Sequence, residues 1–410
     1  MSTQFSRRNL LRGAVVGAAG TALTSGALLG IENPADAAPP STSASYPFHG
    51  PHQSGILTPA PADKQRASCF ASFDLTASSR AEAAELMRAL TARNRFLMTG
   101  GDPPLPQFDA PPPDSDVLGP VVPADGLTAT VALGSTFFDD RFGLTAKKPR
   151  HLTPMRVFPN DSLDPAWLHG DLLVQLCADH PDAVHHAIRD IAKHTRGAMQ
   201  LRWKIEGYAS PPRPSGTPRN LLGFKDGTAN PVGERATDLV WVDDPLEPSW
   251  ARGGSYQVVR LIRMLVEFWD RVSLTEQEGM FGRRRDSGAP LDGNHEFDTP
   301  DYAADPQGEV IPLDAHIRLA NPRTKATANQ RLLRRSYNYD LGLDANGNLQ
   351  TGHVFVCFQQ DVHRQFETVQ TRLIGEPLID YVQPFGGGYF FVVPGVTDEG
   401  DWYGRRLFAE

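Results

Sequence analysis

Cysteine is scarce in this chain. Three occur in 410 residues, Cys69, Cys177 and Cys357, far apart and without a C-x-x-C pair, so the ligand spacing of a zinc site is missing. All three sit in apolar stretches that read as strands, where a thiol behaves as a small hydrophobe, and we expect no disulfide. An excess of positive charge is also lacking: 40 Lys and Arg stand against 48 Asp and Glu, which argues against nucleic acid as a partner. The long apolar run at 13–31 is rich in Gly, Ala, Ser and Thr and leads to Ala35-Asp36-Ala37. A run of that composition, stopping at small residues a peptidase accepts, reads poorly as a membrane anchor.

What stands before that run gives it a meaning. Ser6-Arg7-Arg8-Asn9-Leu10-Leu11 and the small-x-small site make residues 1–37 a twin-arginine signal peptide, so we expect an exported protein, extracellular or in the cell envelope, and periplasmic if the source has an outer membrane. No membrane span is expected after its removal. The leader carries Arg7, Arg8 and Arg12 against Glu32 and Asp36, so its loss takes the formal charge from −8 to −9. About 373 residues remain, enough for two domains. Residues 38–64, rich in Pro, Ser and Ala, read as a flexible linker or surface arm.

Periodicity organises the rest into a repeat. Strand patterns at Ala67–Leu75, Leu127–Phe137, Asp171–Ala178 and Met199–Tyr208 enclose helical patterns at Arg80–Arg95 and Pro181–Thr195, with a Pro-rich excursion at 103–123. In the second helix Val184, Ala187, Ile188 and Ile191 form one apolar stripe behind Pro181. The second half repeats the order: a strand from Tyr256 to Val266, a helix near Ser273–Arg284, a polar insertion at 285–307, strands at Leu332–Tyr339 and His353–Gln359, a helix showing Val362, Phe366, Val369 and Leu373 on one face, and a last strand at Tyr389–Val393. Two βαββαβ units predict an α+β protein of two tandem ferredoxin-like domains, 65–235 and 236–410, each an antiparallel sheet with helices on one face. Their sheets would meet to enclose a pocket, mainly in the second.

Chemistry concentrates in three segments. Gly223-Phe-Lys-Asp-Gly-Thr-Ala-Asn-Pro231 holds Asp226 in a glycine turn where backbone can approach a flat ligand, though an Asp before Gly is also an ordinary turn-former. His316 lies in Asp314-Ala-His-Ile-Arg-Leu-Ala-Asn-Pro-Arg323, and Arg334 in Leu332-Leu-Arg-Arg-Ser-Tyr337. An acid, an imidazole and a guanidinium suit a haem peroxidase. An imidazole would ligate the iron, and a base with a nearby cation would move the peroxide proton and stabilise charge on the departing oxygen.

With Pro384-Phe-Gly-Gly-Gly-Tyr-Phe-Phe391 and the leader, these segments make the chain resemble the exported bacterial type of dye-decolourising peroxidase, deferrochelatase/peroxidase-like, over essentially all of the region from about residue 65 onward. The resemblance implies one non-covalent haem b per chain, and the absence of C-x-x-C-H agrees that no thioether links it. It implies hydrogen peroxide as oxidant, a reducing co-substrate drawn from dyes, phenols or other one-electron donors, and a high-valent iron state. It assigns His316 as proximal iron ligand, Asp226 as distal base and Arg334 as distal arginine, with Arg335 the rival. Neighbours on a strand face opposite ways, so only one of the two can serve. Gly227, Thr228 and Ala229 would line the haem edge; Asn321, Pro322 and Arg323 would follow the ligand, Arg323 pairing with a propionate. Asp380 would accept from the ligand's other ring nitrogen, although an acid there is equally a cap, and Ser336 would share the face of Arg334. Relatives also suggest an iron-uptake system or a peroxide-producing copper oxidase as partners, and self-association is compatible with the chain. The relay to bulky dyes is open among nine Tyr and six Trp, Trp402 and Tyr403 being examples. The rival reading is a haem-handling protein, releasing iron from haem or carrying it with little turnover.

Overall fold

The strand at Ala67–Leu75 (β1) buries both of its faces: Cys69, Ala71 and Phe73 enter one core and Phe70 another. That doubling follows from the way the strands close. A computed structural model describes residues 44–107 and 109–409; the leader assigned to 1–37 lies outside them. Along the chain follow α1 (Arg80–Thr99), β2 (Thr128–Gly134), β3 (Leu172–Ala178), α2 (Pro181–His194), β4 (Met199–Tyr208), α3 (Glu234–Val240), β5 (Ser255–Met264), α4 (Val266–Trp269), α5 (Leu274–Phe281), α6 (His316–Ala320), β6 (Leu333–Arg334), β7 (Tyr337–Leu343), β8 (Leu349–Gln359), α7 (Thr368–Arg372), β9 (Val382–Val392) and α8 (Arg405–Phe408).

The pairings between these strands are antiparallel. The first half runs β2-β3-β1-β4 and the second β7-β8-β5-β9, the same order twice. The halves do not stay separate sheets. Tyr208 pairs with Asn338 to join β4 to β7, and Ala132, Leu133 and Gly134 pair with Val392, Phe391 and Phe390 to join β2 to β9, so the strands close into one ring. Inside it lie Phe70, Leu173, Trp203, Val259, Tyr337, Val354 and Phe390, all buried. Outside it α1 and α2 cover the sheet with Leu86, Leu90, Val184, Ala187, Ile188 and Ile191. The helices form where caps and stripes direct: Ser79 accepts from the Glu82 N–H at the start of α1, and Pro181 opens α2. Cys69, Cys177 and Cys357 are free and buried.

Two expectations need correction. The strand pattern at Leu332–Tyr339 is one edge of β8 broken in the middle: β6 and β7 pair along the same edge, and Arg335 and Ser336 interrupt them. The break is bridged by the Arg335 N–H on Val356 O (2.8 Å) and by the Val356 N–H on Ser336 Oγ (3.1 Å). The second correction concerns the flexible linker. Within its described part, Gln53 donates to Val131 O and Val393 O and accepts from the Val131 N–H, at 2.8–2.9 Å. Ile56 is fully buried in the inner core, and His52 stacks on Trp241 at 3.8 Å. Proline and serine set the backbone of this strap, but its buried side chains tie it down.

Candidate active site

The break after β6 sends neighbouring arginines to different places. Arg334 Nη1 lies 3.0 Å from Asp226 Oδ1. Arg335 is fully buried and donates to Pro59 O (2.7 Å) and Gln65 Oε1 (2.9 Å), fastening the strap. The Ser336 hydroxyl accepts from the Val356 N–H of β8 at 3.1 Å. Asp226 stands in a turn whose Gly227 has φ +100°, a conformation glycine adopts without strain. The turn is fixed to β6 by Asn230, whose amide donates to Arg334 O (2.7 Å) and accepts from the Arg334 N–H (3.0 Å).

A third group, invisible to sequence reasoning, touches the acid. His353 on β8 places Nε2 3.1 Å from Asp226 Oδ2. A histidine in an apolar strand gives no hint of this, because the contact spans 127 residues. Lys64, at the end of the strap, also lies within electrostatic reach, its Nζ bonded to Ser336 O and 4.6 Å over the Tyr337 ring; burial brings its pKa down to about 8. Burial pushes Asp226 up, but Arg334, His353 and Lys64 together hold it well below the usual carboxylate range.

His316 opens α6 with its side chain 28% exposed. Its Nδ1 lies 2.6 Å from Glu376 Oε2. This corrects the carboxylate expected at Asp380, which is exposed at the end of a short 3₁₀ turn (Pro377–Asp380), while Glu376 just before it is buried. Burial disfavours the imidazolium, yet Glu376 overrides this and the ring's pKa is raised. Asp226 and Arg334 are within electrostatic reach of His316, and packed rings connect the segments: Phe224 stacks on Phe281 at 3.9 Å, and Phe281 lies 6.1 Å from the His316 ring. Trp269 and Tyr381 extend that cluster, whereas Trp402 and Tyr403 pack in the outer core by α1.

The residues present fit haem. With Nδ1 engaged by Glu376, Nε2 of His316 is left for a metal. Several cations crowd one another here: burial, and then the positive charges of Arg323 and Arg334, lower the pKa of both Arg283 and Arg331, and Arg331 Nε has no hydrogen-bond partner among the described residues. Such crowding calls for anionic groups, and haem supplies two propionates. Arg323 is exposed with φ +58°, and the half-buried Asn321 and Pro322 precede it at the end of α6. Arg331 donates to Ala229 O (2.8 Å), and Thr228 Oγ1 is 3.1 Å from Glu296 Oε1, so the turn after Asp226 is tied on both sides.

Residues 53–209 match the family described as Dyp-type peroxidase, N-terminal, and residues 217–397 match Dyp-type peroxidase, C-terminal. A Shigella flexneri protein named deferrochelatase is 50% identical over 412 residues, covering 98% of this chain and 96% of its own. The solved DyP-type peroxidase from Cellulomonas bogoriensis superposes with a TM-score of 0.80 at 36% identity, over 90% of this chain and 99% of that one. The oxyferrous complex of DtpA from Streptomyces lividans gives 0.79 at 37%, over 90% and 98%. The chain therefore belongs to the Dyp-type peroxidase family, and it is a peroxidase.

Proposed function

We propose that this peroxidase holds one haem b per chain without a covalent link, with His316 as its ligand, Glu376 orienting that ligand, and Arg323 and Arg331 receiving the propionates. When bound, the haem supplies the redox chemistry that couples peroxide reduction to one-electron oxidation of a dye, phenol or similar donor. Asp226 accepts a proton from the peroxide and returns it to the departing oxygen. Arg334 stabilises the negative charge that develops there and keeps Asp226 ionised. The observation that carries this reading is the Asp226–Arg334 pair, within electrostatic reach of an imidazole whose Nδ1 is already committed to a carboxylate. We also infer that residues 65–235 and 236–410 are two ferredoxin-like units sharing one closed sheet, and that the arginine-pair leader exports the folded protein.

Asp226→Asn tests the assignment. Peroxide-dependent dye oxidation falls by about 10²–10⁴-fold while the Soret band persists; full activity in the variant removes Asp226 from the base role. The relative named deferrochelatase supports a second reading, release of iron from haem. Incubating the native pigment with peroxide and donor, and measuring oxidised dye against free porphyrin, separates the two.

A further inference from the structure

His353 faces its partners in a way that fixes where its protons lie. Strand pairing sets it beside Asn338 of β7, with its Nδ1 3.3 Å from Asn338 Oδ1. The Asn338 amide nitrogen donates to Arg219 O (3.0 Å) and lies 3.3 Å from Ser210 Oγ. A backbone carbonyl only accepts, so the nitrogen must occupy that side and Oδ1 must face the ring. That oxygen in turn only accepts, so Nδ1 of His353 carries a proton. The 3.1 Å contact from Nε2 to Asp226 Oδ2 then needs a second proton, on the ring or on the carboxyl. Arg334 on the other carboxylate oxygen keeps the acid ionised, which leaves that proton on the ring.

We propose that His353 is a positioning residue for the peroxide reaction: oriented by Asn338, it donates from Nε2 to Asp226 Oδ2 while Arg334 engages Oδ1, fixing the base in one rotamer and keeping it ionised. The charged groups facing Asp226 are Arg334 from β6, His353 from β8 and Lys64 from the strap. Those facing His353 are Asp226 and the polar Asn338, with Ile262 of β5 opposite it in register. A carboxylate engaged in this way on both oxygens is the form that accepts a proton from peroxide.

The proposal rests on Asp226 as the base, and its test separates the two ideas. In the full chain, haem-free and loaded, infrared spectra edited with ¹³C-labelled aspartate follow protonation of Asp226 in an Arg334→Leu background, where the carboxyl titrates within reach. Adding His353→Leu raises the midpoint by about one pH unit or more; adding His353→Gln, which keeps a neutral donor, raises it less. With Arg334 intact, the acid limb of kcat/KM for peroxide moves up in the same order, and ring ¹⁵N spectra show both nitrogens protonated. An Asp226 midpoint unmoved by both replacements, or a ring without a proton on Nε2, overturns the proposal. Retained turnover in Asp226→Asn would instead overturn the base assignment, leaving the infrared result to judge His353.

Discussion

Burial and charge pull Asp226 in opposite directions, and charge wins because Arg334 and His353 reach separate oxygens of one carboxylate and Lys64 adds to them. Its folded-state pKa is depressed, so the base form is present through the neutral and acid range and is lost only when pH falls through that low value. Arg334→Leu removes the largest opposing charge. The acid limb of kcat/KM for peroxide should then move upward by more than about one pH unit, and kcat should fall by about 10²–10³-fold; a pH profile of the variant checks both. The proximal side makes a parallel prediction. Glu376→Gln, which weakens the partner of His316 Nδ1, should lower haem affinity or turnover about 10–100-fold, while Asp380→Asn should leave both unchanged. Haem titration of the two variants distinguishes the buried acid from the exposed one. Asp226, His316 and Arg334 stood out in the sequence because each sits in a dense local pattern. Glu376 and His353 did not, because what makes them important is a contact with a residue 60 or 127 positions away.

Among the elements, the polar insertion at 285–307 does more than its composition suggested. Glu296 accepts from the Thr217 N–H (3.0 Å) and from Thr217 Oγ1 (2.5 Å) and pairs with Lys225 Nζ at 2.6 Å, the pair being 8% and 3% exposed. It therefore braces the loop that presents Asp226 from the residue next to it. Gly216 permits this approach: with φ +77°, a Cβ there would stand 1.9 Å from Glu296 Oε2. Removing one partner of a buried pair strands the other charge, so Glu296→Gln should cost about 3 kcal/mol, read from the denaturation midpoint. Peroxide turnover should fall with it. The broken β6–β7 edge belongs to the same scale. Alternation alone separated Arg334 from Arg335, but it did not show the interruption at Arg335 and Ser336 that frees one arginine for Asp226 and the other for the strap.

At the scale of the whole molecule, the closed ring and the strap are one device. Ile56 fills the inner core, and Gln53 bridges β2 to the segment after β9, where the two halves join. The matched family region likewise begins at residue 53, inside the strap. Ile56→Ala should cost about 2–4 kcal/mol, measured by chemical denaturation. A chain starting at residue 65 should lose more, because Gln53, Ile56 and Pro59, whose carbonyl accepts from Arg335, go together.

Local pattern by itself determined most of the strands and helices of both halves, their repeated order, and the chemical identity of the acid, imidazole and guanidinium. Such features follow from backbone preference and from polarity within a few residues. Tertiary structure alone decided that the two sheets join into one ring, that the Pro-rich strap is anchored, that Glu376 and not Asp380 meets His316, and that His353 shares the carboxylate with Arg334. Each of these depends on which surfaces must be buried together and which buried polar atoms must find partners, conditions set by the whole chain once it has closed on itself.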